Sequence, residues 1–567
     1  MAELVSNKAE LKQLAEKLDA HISIIVQPLT RIHLHSNYLG ELSPNGNLTY
    51  VYLFSLVAAF LLLCTGINYT NLAMAASLNR GKEISMRKVM GAGRNQIRTQ
   101  FLAESALLML LAALLGLLIV WLSLPWFRQL VDQPLRLNLL EQPALLLWLA
   151  GLVGLISLLS GAYPAFYLSR LDPIRALKSG LPTGSGHLSI RKTLVLMQFA
   201  MAIGLISATL LVKKQMDFIR HKELGFQKDL VLVIPVPGHL SRKLAVFEAE
   251  VAKIPGVWAT AACNYVPGST SKDEHRIERT HGEMKVSTVH RLHFDHRYLS
   301  LLGIPLVKGR GFDPSFPTDY TGAYLVNESA VQAFGWNEPG QNPIGKKIEG
   351  FNYGKQGVVI GVVQDVHLFS LRQKIEPLIM NLSPTDYSWG ESVYIKLKAN
   401  QTGESLKAIK RTFGRVFDSY PFKYSFLDEQ YDRLYKADQQ MEATLLSGAL
   451  LMGLLSGLGI FGLSLLLVAQ RSRETAIRKV LGASVSDLMG LHLRGFIRWT
   501  LLANLIACPV TFLLIRVWLR DFAYQTDITP TPFLLGSVST LLLVLLTVSF
   551  QALRIVRANP ITFLKQE

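Results

Sequence analysis

Cysteine is nearly absent, with three in 567 residues. Cys64 and Cys508 fall inside long apolar runs, and Cys263 stands alone in the large polar region. No soluble pair exists to bridge, which excludes a disulfide framework and a cysteine-based zinc site. Charge is scarce as well: 17% of residues are charged against 50% hydrophobic, and mean hydropathy is +0.28. Such a balance excludes an ordinary soluble globular protein and defines an integral membrane protein. The formal net charge is +17. A nucleic-acid binder would carry that charge on a water-soluble face, whereas these basic residues crowd the ends of apolar segments and read as topology signals. The apolar runs hold almost no ionisable residues, so no proton relay or ion path is visible and a secondary transporter is disfavoured.

Catalytic signatures are missing too. Gly340-Gln-Asn-Pro-Ile-Gly-Lys-Lys347 comes within one residue of a phosphate-binding loop, but Lys347 stands where the magnesium-binding Ser or Thr belongs. Pro343 also removes a backbone donor from the cradle, so the segment reads as a surface turn. His290-Arg-Leu-His-Phe-Asp-His296 gathers three imidazoles and a carboxylate. On a strand, however, His290 and His296 would share a face with neither His293 nor Asp295, and polar surface is the expectation rather than a metal site. No nucleophile and base pair stands out, so no enzyme, metal or cofactor is expected.

What is present is seven runs of about 18 or more apolar residues: 50–76, 102–123, 143–168, 192–213, 443–469, 496–518 and 532–555. The connecting segments 77–101, 169–191 and 470–495 and the tail after 555 are basic, which places them in the cytoplasm. Residues 1–49 and 214–442 then lie outside, with the N-terminus out and the C-terminus in. The first 49 residues contain no segment able to carry them across, so the expectation is a chain that begins late, 1–49 being the last piece of an outer domain; the alternative is a short polar tail that crosses with its first span. Region 214–442 is long enough for its own core. Gly357–Val363, Leu230–Pro235 and Ser392–Leu397 read as strands, and Leu240–Lys253 and Glu404–Val416 as helices, giving an α+β domain. Asp428–Gln440 is polar with helical character and runs without proline into the next span, as a continuous rod would. Gly453-Leu-Leu-Ser-Gly457 within that span permits close helix approach, most simply inside the same chain.

The chain also repeats itself. Arg80-Gly-Lys-Glu-Ile-Ser-Met-Arg-Lys-Val-Met-Gly-Ala92 returns as Arg471-Ser-Arg-Glu-Thr-Ala-Ile-Arg-Lys-Val-Leu-Gly-Ala483. Each copy follows an apolar span and precedes two more, and the units end alike in Arg170-Leu-Asp-Pro-Ile-Arg-Ala-Leu-Lys178 and Arg557-Ala-Asn-Pro-Ile-Thr-Phe-Leu-Lys565. In 82–98 a helix would align Met86, Met90, Gly93 and Ile97, with Arg87, Lys88, Arg94 and Arg98 elsewhere on its surface. Such a helix would lie flat under the bilayer or fill a groove on a partner, with Glu83 and Glu474 offering carboxylates and the Arg87-Lys88 and Arg478-Lys479 pairs offering donors. Gly91 and Gly482 would break the run and turn the chain back towards the membrane. Anchoring needs charge but not a preserved order, so two matching copies favour a partner site.

The repeated Glu-x-x-x-Arg-Lys-x-x-Gly-Ala and the order of spans around it resemble the FtsX/MacB-like ABC-transporter permeases, in a double-length form. The resemblance implies an α-helical integral membrane protein with a large α+β extracytoplasmic domain of MacB type. It also implies a bacterial inner-membrane location and a separate cytoplasmic ABC ATPase dimer docked on Glu83, Arg87, Lys88, Gly91 and Glu474, Arg478, Lys479, Gly482. Export or extraction of a peptide, lipid-linked or drug-like substrate would follow, with an extracytoplasmic or outer-membrane partner possible. The expected divisions are 1–49 as a domain remnant, 50–180 as the first permease unit, 181–213 as the opening helix of the second, 214–442 as the outer domain and 443–567 as the second unit. The rival reading is a regulatory membrane protein that controls an outer partner without transport.

Overall fold

Lipid offers a backbone no hydrogen-bond partner, so the apolar runs close their own bonds as helices. The computed structural model describes residues 48–131, 141–169, 185–266, 274–280, 283–348, 357–382, 391–418, 420–470 and 483–557, with short pieces at 27–28, 31–32, 478 and 481. Helices α1 (Leu48–Asn79), α2 (Gly81–Val89), α3 (Arg94–Val131), α4 (Pro143–Ser169) and α5 (Ser185–His221) precede a sheet domain. That domain contains α6 (Leu244–Val251), α7 (Thr402–Val416) and α8 (Leu427–Arg433), and α9 (Lys436–Gln470), α10 (Val485–Leu519) and α11 (Thr531–Arg557) follow it. Among the described residues seven helices are long and apolar enough to span a membrane. They are α1, α3, α4, α5, α9, α10 and α11, each overlapping one of the seven runs in the sequence.

The spans form two groups. Helices α1, α3 and α4 pack together, α5, α9, α10 and α11 form a second bundle, and α1 joins the two by lying along α9. Small residues set the closest approaches, as expected where lipid supplies no hydrophobic drive. A Cβ at Gly161 of α4 would stand 2.7 Å from Ser105 Oγ of α3, and that hydroxyl accepts from Tyr69 OH of α1 at 2.8 Å. Gly536 of α11 makes room in the same way for Ser207 of α5. The glycines singled out in the sequence behave otherwise: Gly453 faces open space, and Gly457 has only ordinary contact with Leu543 of α11.

Among the described residues the sheet domain holds eleven strands: β1 (Val231–Val236), β2 (Val257–Cys263), β3 (Glu274–Thr280), β4 (Glu283–Phe294), β5 (Leu306–Gly309), β6 (Ala323–Asn327), β7 (Lys347–Ile348), β8 (Gly357–Val363), β9 (Leu378–Leu382), β10 (Glu391–Leu397) and β11 (Ser425–Phe426). The order is β11-β1-β10-β2-β4-β3-β7-β8-β6-β9, with β5 beside β8. Strand β9 also pairs in parallel with β4, so six strands close into a ring. The β-branched runs Val231–Ile234 and Val358–Val363 form strands because branched side chains fit a pleated, buried surface. Helices α6 and α7 cover one face through Phe247, Phe413 and Phe417.

Two expectations need correction. The rod is interrupted: α8 ends at Arg433, Leu434 and Tyr435 form a turn, and α9 begins at Lys436. Tyr435 is held there because its hydroxyl accepts the Leu371 N–H at 2.7 Å. The unbroken rod is α5, whose 37 residues span about 55 Å at 1.5 Å per residue. Nor is the histidine cluster polar surface, since His290 is buried, pairs through Nε2 with the Glu376 carboxylate and lies against the Phe369 ring.

Candidate functional site

The first basic motif begins where α1 ends. Helix α2 is nine residues long, and Gly91 then takes a left-handed φ of +99°, which a residue with a Cβ rarely adopts, to start the turn into α3. The expected single stripe is therefore divided: Ile97 is buried in α3, while Met86, Val89 and Met90 are exposed on the α2 tip. Arg87 Nη2 pairs with Glu83 Oε1 at 2.8 Å, one helical turn apart, and Arg87 Nη1 donates to Gln100 Oε1 at 2.9 Å. Arg80 bridges Glu83 at 3.3 Å and Glu104 at 2.8 Å, tying α2 to α3. Lys88 turns the other way. Its ammonium donates at 2.8 Å to the Ser169 carbonyl at the end of α4, where a cation also favours the helix dipole. Arg98 donates to Ser169 Oγ at 3.0 Å and lies over the Phe166 ring. The predicted residues are thus brought together with unequal roles: Lys88 braces α4, and Arg87 remains half-exposed beside a shallow surface lined by Met86, Met90, Gly91, Ala92 and Gln96.

In the second motif Arg478 is exposed, whereas Glu474, Lys479 and Gly482 lie outside the described residues. One bond marks the repeat. The Ala92 N–H donates to the Arg87 carbonyl at 3.0 Å, and the Ala483 N–H donates to the Arg478 carbonyl at 2.9 Å. Helix α10 then starts on a capping box, in which Ser484 Oγ accepts the Asp487 N–H at 3.2 Å.

A second site, which sequence reasoning missed, lies where the sheet domain meets the spans. Arg372 sits in the loop between β8 and β9, and its Nη2 donates to Asp438 Oδ1 of α9 at 2.6 Å and to Tyr50 OH of α1 at 2.8 Å. Tyr50 OH in turn donates to Asp438, which is 1% exposed. The guanidinium lies 4.4 Å from the Phe522 ring centre, and the Arg372 carbonyl accepts the Ala523 N–H at 3.1 Å in the α10–α11 turn. The loop therefore grips both groups of helices. His367, five residues earlier, packs edge-on against Tyr524, and burial first, then Lys222, hold its imidazole down at about pKa 4. Inside the domain Arg297 pairs with Asp295 at 2.7 Å and Glu248 at 3.2 Å. Burial first, then the Asp295 charge, push the Glu248 carboxyl up to about 7.

Seven apolar spans in two groups, joined through equivalent helices and capped by a sheet domain, define a membrane protein built from a duplicated unit. Comparison with known proteins names that unit: residues 55–173 and 446–560 each match the FtsX-like permease C-terminal domain. The chain therefore carries two FtsX-like permease domains, and the same units make it similar to the MacB and YknZ proteins. Macrolide export ATP-binding/permease protein MacB of Bdellovibrio bacteriovorus is 35% identical over 127 residues, 22% of this chain and 19% of that protein. An uncharacterized ABC transporter permease of Bacillus subtilis, YknZ, is 34% identical over 127 residues, 22% of this chain and 30% of that one. The chain spans less than a third of the length of these curated relatives. Among solved structures, the periplasmic region of MacB from Actinobacillus actinomycetemcomitans aligns with 38% of this chain and 97% of its own, at 14% identity and a TM-score of 0.28. The extracellular domain of YknZ aligns with 34% of this chain and 97% of its own, at 12% identity and a TM-score of 0.26.

Proposed function

We propose that this permease converts ATP hydrolysis by a separate cytoplasmic ABC ATPase dimer into movement of the sheet domain, outside the bacterial inner membrane. The carrying observation is the grip of Arg372 on Tyr50 of α1 and Asp438 of α9. A shift between the two helix groups would act on the domain through that contact. The basic connecting segments support a topology with the motifs in the cytoplasm, the domain outside, the N-terminus out and the C-terminus in. The α2 tip, with Arg87 beside Met86 and Met90, and the matching loop around Arg478 are the docking surfaces; Glu83 shapes Arg87 rather than meeting the partner, and Lys88 holds the tip against α4. By the repeat in the sequence Glu474, Lys479 and Gly482 belong to the second docking surface, and with both docking loops in one chain a single permease serves one ATPase dimer. The cargo class is an exported or extracted peptide, lipid-linked or drug-like molecule. The relatives named for macrolide export support a hydrophobic cargo.

The test is affinity purification from membranes under mild extraction, with mass spectrometry of what accompanies the wild type and the Arg87→Glu, Arg478→Glu double variant. The expected result is an ATPase with the wild type and none with the variant, at equal insertion of both. Wild type recovered without any ATPase, or equal recovery from the variant, overturns the reading.

A further inference from the structure

The end of α5 nearest the sheet domain frames a cavity. Lys214 Nζ donates to the Asp527 carbonyl at 2.9 Å, and Gln215 Oε1 accepts the Thr526 N–H at 2.8 Å, so these two residues stand level with the turn between α10 and α11. That turn joins two membrane spans, and the next turn of α5 therefore passes from hydrocarbon into the headgroup layer. There, between α5, the segment 222–229, α8 and the start of α9, lies a cavity of about 240 Å³. Its apolar side is built from Met216, Ile219, Leu224, Tyr431 and Tyr435, all buried. Its polar side carries Arg220, Lys222 and Lys228 against Asp229 and Asp432. The cations are loosely held. Arg220 is shared between Asp217 at 3.4 Å and Glu442 at 3.2 Å, and Lys228 stands 3.9 Å from Asp432, all longer than the roughly 2.7–2.9 Å of a tight charge-assisted bond. Lys222 meets the Phe218 and Tyr524 rings and makes no ion pair among the described residues.

Three walls of this cavity are bonded to the loop between β8 and β9, the loop that carries Arg372. The Leu224 carbonyl accepts the His367 N–H at 2.8 Å, the Tyr431 hydroxyl donates to the Phe369 carbonyl at 3.3 Å, and the Tyr435 hydroxyl accepts the Leu371 N–H at 2.7 Å. We propose that the cavity binds the headgroup of an anionic phospholipid from the surrounding leaflet, and that the bound headgroup steadies the loop joining the sheet domain to the spans. Size argues for a headgroup over a cargo, because drug-sized ligands fill cavities of roughly 300–1,000 Å³. Charge argues for an anion. A phosphodiester brings acceptor oxygens to Lys222 and Arg220, whose donors are underused, while its acyl chains stay in the bilayer beside α5. A zwitterionic headgroup fits less well, since Lys228 already lies 5.5 Å from the Tyr431 ring centre and covers the face a quaternary ammonium would take. With the headgroup in place Leu224, Tyr431 and Tyr435 lose freedom, and the three bonds pass that restraint to residues 367–371. The proposal needs the spans to lie in a bilayer, and rests on neither the ATPase nor the cargo.

Hydrogen exchange on the full chain in nanodiscs tests it, with discs of phosphatidylcholine alone compared with discs in which phosphatidylglycerol replaces part of it. In the wild type the amides of 364–377 are expected to exchange several-fold more slowly when phosphatidylglycerol is present. The double variant Lys222→Gln, Lys228→Gln is expected to lose that slowing. A control with the same charge change at exposed positions away from the cavity, Lys253→Gln with Lys410→Gln, is expected to keep it. Soluble glycerol 3-phosphate added to phosphatidylcholine discs is expected to change nothing. Equal exchange of the wild type in both discs, or equal slowing in the Lys222, Lys228 variant, overturns the proposal, and slowing by glycerol 3-phosphate alone overturns the bilayer as the source. Native mass spectrometry of the wild type from mixed micelles needs no variant: phosphatidylglycerol retained in preference to phosphatidylcholine at equal supply is expected, and equal retention of the two also overturns it.

Discussion

Arg372 belongs to a loop of the sheet domain and Asp438 to a membrane helix, yet their side chains meet at 2.6 Å with Asp438 almost wholly buried. Sixty-six residues of chain separate them. Removing one partner of such a pair costs far more than removing both, because a lone buried charge is left behind.

Arg372→Leu should therefore destabilise the protein by about 3–5 kcal/mol. Arg372→Leu with Asp438→Leu should recover most of that loss. Thermal unfolding in detergent, arranged as a double-mutant cycle, measures the coupling, and simple additivity would refute a shared joint.

Acid should loosen the same joint. The His367 imidazole is held at about 4 in the fold by burial and then by Lys222, against an ordinary value of 6.5. The folded state thus binds its proton less readily than the unfolded one. Its contribution is complete above pH 6.5 and is lost as pH falls towards 4. His367→Gln should flatten the melting temperature between pH 7 and pH 5 relative to wild type; parallel curves would count against it.

Glu248 runs in the opposite direction. Burial and then Asp295 raise its carboxyl from 4.5 to about 7, so the folded domain holds this proton more tightly than the unfolded chain does. Its contribution is full below pH 4.5 and is lost as pH rises through 7, a change on the order of 3 kcal/mol. Glu248→Gln keeps the shape without the charge and should be more stable than wild type at pH 8, with the gain shrinking towards pH 5.

Lys88 and Arg87 are adjacent and look interchangeable in sequence. Lys88→Ala should cost about 1–2 kcal/mol, because its charge-assisted bond holds α2 to the end of α4. Arg87→Ala should cost no more than about 0.5 kcal/mol, since both its partners, Glu83 one turn away and Gln100 on α3, lie on an exposed face. Unfolding of the two variants separates the roles.

Much of the architecture was legible because its causes are local. A long apolar run in lipid has few options besides a helix, and the valine-rich stretch Val358–Val363 fits a buried strand wherever it falls. The turn at Gly91 was readable for the same reason, as its φ of +99° demands what glycine supplies. The joint was not legible. Nothing around Arg372 signals a partner, and its contact with Tyr50 spans 322 residues. Spacing also pointed to the wrong glycines: Gly453 and Gly457 fit a small-residue pattern, but the partner helix selects Gly448, Gly459 and Gly462. The break at Leu434–Tyr435 has no glycine or proline to announce it, because a distant N–H on Leu371 holds Tyr435 in place.

The closed ring β4-β3-β7-β8-β6-β9 limits how anything can hold this domain. Recognition by strand addition needs a long exposed edge with free N–H and C=O groups. Here β11 is two residues long and β5 four, and among the described residues the long edges outside the ladders belong to the β3–β4 hairpin, since β3 meets β7 only at Thr280 and β4 meets β9 only from His290 onward. A cargo or companion that adds a strand would meet the domain at that hairpin, and one that grips it elsewhere would use side chains on its helices and loops.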